Sequence, residues 1–399
     1  MQKMKIGLVS PFMPHDLADL LDHESRDLLP GIAGVTATPV TPMAREWHRA
    51  GHELAIFCLD VSVSTPQVLR GTRLVIHVLP KRRSRHCLLD FYRQECRLVR
   101  EAVAREAPDV LSAQWSYDHA LAALGCGIPT AVTCHDTPLR YAWISKTLFM
   151  TYHLLVAAWV IRRAQGLICV SSYTAEHIHR YFRPQCPLVT IPNGLDRKIF
   201  ARKKTRMTAV KTHHETYTIC SVGSWGAIKN IKTLLKAFSL HSQSHIESRL
   251  VLFGSALGPG EAGECWAVKH NLHHGVVFMG SKPREGILDF LENEADLMVH
   301  PSRVETHGMV LIEAMACGVP VIGGRMSGAI PWTLDQGNFG YLCEIRDPQA
   351  IARTISKAID EPQATQKMTE RAWDGAYQRF SIEQSAAANI EFLAGLANP

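Results

Sequence analysis

The chain has 399 residues, of which 46% are hydrophobic and 20% charged, and carries a net charge of +6. That length exceeds one ordinary core, so two domains of about 200 residues are expected, and the mixed composition excludes low-complexity and short-period repeat architectures. The 11 cysteines are odd in number and scattered with no C-x-x-C pair, which points to free thiols in a reducing compartment and against a disulfide framework.

In chain order, "MQKMKIGLVSPF" reads as a first strand, not a secretion signal. The apolar runs "KIGLVS", "ELAIFCL", "LVIHVLP", "DVLSAQ", "TAVTCH", "GLICVS" and "LVTIPN" predict strands in the first half. "YTICSVG", "RLVLFGS", "GVVFMG", "LMVHPS", "PVIGG" and "GYLCE" predict them in the second half. Amphipathic helical patterns fill most gaps, as at 231–241 and 348–359. Continuous apolar strands with helical crossovers mean parallel sheets covered on both faces. The polar stretch 195–215 breaks this rhythm. The expectation is an α/β protein of two Rossmann-like domains, 1–196 and 217–380, joined by a linker at 197–216. A final helix at about 381–399 would return to the first domain, and a cleft would lie between the carboxyl ends of the sheets. The longest uncharged stretch, 147–161, is too short to span a bilayer.

The positive charge is uneven. Residues 1–200 hold 23 Lys and Arg against 17 Asp and Glu, whereas 201–399 hold 20 of each. The densest point is "KRRSRH" at 81–86. A solvated loop and an anionic partner, such as lipid head groups or a phosphorylated acceptor, both fit it. No nucleic-acid motif accompanies the charge, so nucleic acid is not expected.

The stretch "VETHGMVLIEAMACGVPVIGG", 304–324, places Glu305 in a loop and Glu313 within an apolar run. Gly308 should open a helix that Gly318 ends. The amides of Gly308, Met309 and Val310 would then form an anion site at its N-terminus. Carboxylates beside such a cradle repel a phosphate. They would instead accept hydrogen bonds from hydroxyls on either side of it, which describes the ribose and hexose of a nucleotide sugar.

These residues, with "PDVLSAQWSYDHALAALGCGIPTAVTCHD", "LICVSSYTAEHI", "IPNGLD" and "ICSVGSWGAIKNIKTLLKAF" in order, resemble glycosyltransferase family 4, of the two-domain GT-B class. The resemblance extends over most of the chain. It implies a retaining transfer of a sugar from a UDP-, GDP- or ADP-sugar to a hydroxyl of a glycan or glycolipid, as in surface polysaccharide or lipopolysaccharide synthesis. It implies that Glu305 contacts the donor sugar, Glu313 the ribose diol and Lys229 the diphosphate, with His135 beside the transferred sugar. Gly34, in the loop "GIAG", and Ser224, His307, Gly308, Met309 and Val310 complete the donor site by the same resemblance. The sequence departs from the family at Ser224, near which an arginine is usual, at Asn230 in place of a glycine, and at Gln114 in place of a histidine.

Two other patterns carry little. "GPGEAG", 258–263, fits G-x-G-x-x-G, but the next strand ends without an acidic residue and Glu261 would face a pyrophosphate. His241 and His245 are four apart on a helix, with no further ligand nearby. No D-x-D occurs, and neither a metal nor another cofactor is expected. The expected location is the cytoplasm, with peripheral contact to an anionic inner membrane face through Lys81, Arg82, Arg83 and Arg85. An epimerase or phosphorylase on the same fold, or a sugar-nucleotide-binding subunit without turnover, is the alternative.

Overall fold

The computed structural model describes residues 3–83, 87, 90–202 and 216–397. Most of the expected linker, and Arg85 of the basic loop, lie outside the described residues. The chain divides into two compact units, residues 1–194 with 382–399, and residues 195–381.

In the first unit β1 (Lys5–Val9), β2 (Glu53–Asp60), β3 (Gln67–Gly71), β4 (Leu74–Pro80), β5 (Val110–Gln114), β6 (Thr130–Cys134), β7 (Gly166–Cys169) and β8 (Leu188–Thr190) form one sheet. Its order is β3-β4-β2-β1-β5-β6-β7-β8. All pairs are parallel except β3 with β4. The apolar run of β2 shows why the sheet is covered twice. Leu54, Ile56 and Cys58 enter one core and Ala55, Phe57 and Leu59 the other, because successive side chains alternate faces. The helix Ile382–Ala397 belongs to this unit and sets Ile382, Ala386, Ile390 and Leu393 into the first core at helical spacing.

The second unit holds β9 (Tyr217–Val222), β10 (Ser248–Phe253), β11 (Val276–Gly280), β12 (Leu297–His300), β13 (Val321–Gly324) and β14 (Tyr341–Cys343). Their order is β11-β10-β9-β12-β13-β14, wholly parallel. Counted within the unit this is 3-2-1-4-5-6, so the strand order reverses between β9 and β12. Loops leaving the carboxyl ends of strands at such a reversal form the natural ligand crevice.

All 11 cysteines are free thiols. Among the described residues no helix is long and apolar enough to cross a membrane.

Candidate functional site

In the second unit the loops after β9 and β12 bring together residues distant in sequence. Lys229 forms an ion pair with Glu305 through Oε1, and His300 Nε2, at the end of β12, lies 2.9 Å from the same oxygen. The backbone of Glu305 is held by segment 327–329: its amide donates to Ser327 O, and its carbonyl accepts from Ala329 N at 2.8 Å. Burial alone would push the Glu305 carboxyl up. The hydrogen bond and charge of His300, with the charge of Lys229, reverse this and hold it well below the usual carboxylate range. Glu305 is therefore a fixed, ionised carboxylate.

Asn230, after Lys229, adopts φ +57°. Asn tolerates this left-handed conformation because its short polar side chain bonds locally, so it can stand where the family has glycine. Its Nδ2 donates to Ile345 O at 2.8 Å, and its Oδ1 accepts from Arg303 at 3.0 Å and from Thr233 Oγ1 at 2.7 Å. Arg303 thus lies close to Lys229, and it was not singled out from the sequence. Ser224 is exposed in the same loop.

The helix Met309–Ala316 begins as expected. Gly308 caps it at φ +83°, a left-handed backbone that favours glycine, and a Cβ there would also crowd Ile330 Cδ1 at 2.8 Å. The amides of Gly308, Met309 and Val310 belong to its first turn, where no intrahelical acceptor exists. His307 is buried with its ring against Trp332 and Phe380, and its carbonyl accepts from Thr333 Oγ1. Glu313 is buried one and a half turns in. Its Oε1 accepts from Arg284 Nε at 2.6 Å. Burial raises the Glu313 carboxyl, and the charge and hydrogen bond of Arg284 only partly offset this.

In the first unit His135 follows β6 and meets Gln114 at the end of β5, Nε2 to Oε1 2.8 Å. A carbonyl oxygen only accepts, so the proton is on Nε2 and Nδ1 is left as an acceptor. Burial lowers the His135 pKa to about 3, so the ring is neutral at working pH. Trp115, at φ +63°, lies against it with the rings tilted by 34° and their centroids 4.3 Å apart. A bulky residue in that conformation is a local strain of the kind that collects at functional sites. Asp136 accepts from Tyr117 Oη at 2.8 Å, and burial raises its pKa to about 6. Gly34 sits at φ +67° with its amide donating to Asp60 Oδ2 at 2.6 Å.

The minor motifs are occupied by the protein itself. Glu261 Oε2 accepts from the Gly258 amide in "GPGEAG". His241 bonds Ser356 and Ser248, and His245 faces Asp360. Two of the basic loop's described side chains are engaged as well. Lys81 pairs with Asp118, and Arg82 with Asp90 and Glu95.

Sequence reading brought forward Lys229, Glu305, Glu313 and the helix between the two glutamates. It missed His300, Arg303, Arg284 and Trp115. "LMVHPS" did signal that His300 ends a strand at the crevice. Nothing local signals the other three.

Residues 37–198 match the family profile described as Glycosyltransferase Family 4, and residues 203–374 the one described as Glycosyl transferases group 1. Among curated proteins the chain is similar to N-acetyl-alpha-D-glucosaminyl L-malate synthase of Bacillus anthracis, 27% identical over 71% of this chain and 74% of that one. It is also similar to glycogen synthase of Mycobacterium tuberculosis, 26% identical over 71% and 68%. Among solved structures it is similar to sucrose-phosphate synthase from Thermosynechococcus elongatus, with a TM-score of 0.77 and 19% identity over 99% of both chains. Anabaena HepE in complex with UDP-glucose gives a TM-score of 0.67 and 19% identity over 98% of this chain and 100% of that one. These structures share the GT-B fold with the chain.

Proposed function

Since the chain belongs to glycosyltransferase family 4, we propose that it moves a hexosyl group from a nucleoside diphosphate sugar to a hydroxyl of a glycan or glycolipid, with retention and without a metal. The observation that carries this reading is the cluster of Lys229, His300 and Glu305 at the strand-order reversal of the second unit, beside the first turn of the helix Met309–Ala316. HepE, of the same fold, is described bound to UDP-glucose.

Lys229 and the amides of Gly308, Met309 and Val310 supply positive charge for a diphosphate. Glu305, held ionised, accepts hydrogen bonds from sugar hydroxyls. Glu313 accepts from the ribose diol, with Arg284 partly offsetting the upward push that burial gives its carboxyl. As the bond from the sugar to the diphosphate oxygen breaks, negative charge grows on the diphosphate, where Lys229 and the helix amides stabilise it. The acceptor oxygen bonds to the same carbon on the same face, and its proton passes to the departing oxygen. Neutral His135 serves as a hydrogen-bond partner, not as a charge.

A thermal-shift panel of UDP-, GDP- and ADP-sugars tests the donor. A true donor binds the native state alone and raises the melting temperature in proportion to the logarithm of its concentration. No shift with any of them overturns the reading. Transfer measured in EDTA tests the metal: turnover should persist, and its loss on chelation with recovery on adding magnesium or manganese would sink that part.

A further inference from the structure

The helix Leu148–Arg163 is apolar nearly all round. One face, Val156, Ala157, Val160 and Ile161, is buried in the core of the first unit. The opposite stripe, Leu148, Thr151, Leu155, Trp159 and Arg162, recurs at helical spacing and is exposed. Leu148 is 91% exposed, Leu155 64% and Trp159 40%. A helix that is apolar on both faces ordinarily has both covered. The preceding helix, Pro138–Ser145, adds Trp143 at 64%, and the helix Ser172–Phe182 adds Tyr181 at 50%. Tyr181 lines one surface pocket with Trp143 and another with Arg162, so the three helices share one face, and an exposed apolar face of this kind marks an interaction site.

Its charge says with what. Residues 140–183 hold six basic side chains, Arg140, Lys146, Arg162, Arg163, Arg180 and Arg183, against one acidic, Glu176. That excess of five is nearly the whole net charge of +6. Among the described residues none of the six is ion-paired. Three lie over aromatic rings: Arg163 over Trp159 at 4.6 Å, Arg140 over Trp143 at 5.3 Å and Arg180 over Tyr181 at 5.6 Å. Aromatic and cationic side chains together suit a membrane interface, where rings sit at headgroup level and guanidinium groups meet phosphate. Beside the stripe runs a groove of about 570 Å³, lined by Phe91, Leu121, Leu155, Val156 and Trp159, with Arg93 and Arg100 also on its wall.

We propose that the face formed by the helices Pro138–Ser145, Leu148–Arg163 and Ser172–Phe182 docks on an anionic lipid bilayer, inserting Trp143, Leu148, Leu155 and Trp159 and placing the arginines at lipid phosphates. This relocates the expected membrane contact. In the loop at 81–86 the charges of Lys81 and Arg82 are already neutralised by Asp118, Asp90 and Glu95.

The test is co-sedimentation of the full chain, without nucleotide sugar, with vesicles of phosphatidylcholine alone and of phosphatidylcholine with phosphatidylglycerol. Binding should require the anionic lipid and fall several-fold as salt rises. The combined variant Leu148→Ser, Leu155→Ser, Trp159→Ser should weaken it by at least about tenfold, whereas Arg83→Ser should leave it unchanged. Charge reversal at Arg162 and Arg163, both exposed, gives a second variant that leaves the apolar residues intact. It should weaken binding with an unchanged melting temperature. Three outcomes overturn the proposal: equal binding to neutral vesicles, loss of binding in Arg83→Ser alone, or a concentration-dependent dimer in sedimentation that the serine variant abolishes. The last would make the face a contact between copies of this chain. Donor thermal shifts measured on the same variants report separately on the transfer reading.

Discussion

Lys229 and Glu305, 76 residues apart, form an ion pair at the carboxyl ends of β9 and β12. The lysine that would neutralise a diphosphate is held by the carboxylate that would bind the sugar. A donor arriving at the first turn of the helix Met309–Ala316 competes with Glu305 for that ammonium. Lys229→Met keeps the stem and removes the charge, so it should lower kcat by about 10²–10³-fold, the cost of losing one transition-state charge stabiliser. Product formation under saturating donor checks this. A kcat within a few fold of wild type would mean Lys229 is only a structural partner of Glu305.

Glu305 and Glu313 should fail in different ways. In the proposed mechanism Glu313 holds a part of the donor that does not change during transfer, so Glu313→Ala should mainly weaken donor binding, by roughly 1.5–3 kcal/mol or ten- to hundredfold. In the same mechanism Glu305 contacts a sugar whose ring gains positive charge, so Glu305→Gln should lower kcat more than affinity. Calorimetric Kd and kcat for both variants decide. A reversed pattern would exchange the two roles, and no change in either would remove both residues from the site.

Asn230 gives a prediction about stability. Its φ of +57° and its bonds to Ile345 and Arg303 act together. Asn230→Gly keeps the conformation and loses the bonds, at about 0.5–1.5 kcal/mol. Asn230→Ala loses the bonds and adds left-handed strain of roughly 1–2 kcal/mol. Denaturant unfolding should rank wild type above glycine above alanine. Alanine equal to glycine would show that the backbone there is not constrained.

Period and punctuation made most of this fold legible. β2 and β10 announce themselves as unbroken apolar runs, and Gly308 and Gly318 bracket the helix between the two glutamates. β3, "QVLRG", was missed because an edge hairpin strand need bury only one side and here carries an arginine and a glycine. Lys229 and Glu305 could be named because they lie in recognisable motifs. Arg284 with Glu313, 29 residues apart, and Arg303 with Asn230, 73 apart, could not, since only the folded domain brings those segments together. The same holds for the basic loop: its density is plain in sequence, but the carboxylates that pair with Lys81 and Arg82 come from Asp118, Asp90 and Glu95. The six basic residues of 140–183, none ion-paired among the described residues, are spread over three helices and their C-caps.

Two buried carboxylates should give the stability opposite pH dependences. The Glu305 carboxyl is held below its ordinary value of 4.5. Its contribution is present above that value and lost as pH falls beneath it, so wild type should lose melting temperature in acid faster than Glu305→Gln. The Asp136 pKa is raised from 3.8 to about 6 by burial. Here the folded state binds the extra proton, so the contribution is full below 3.8 and is lost as pH rises through about 6. Above that pH the fold carries a buried carboxylate answered only by the Tyr117 hydroxyl. Asp136→Asn keeps an acceptor for that hydroxyl and removes the charge. It should raise stability at neutral pH by on the order of 2–3 kcal/mol, several degrees in Tm, with the gain vanishing near pH 4. Thermal unfolding of wild type and both variants from pH 4 to 8 checks both signs. A gain for Asp136→Asn that is equal at pH 4 and pH 8 would show that Asp136 is not held protonated by burial.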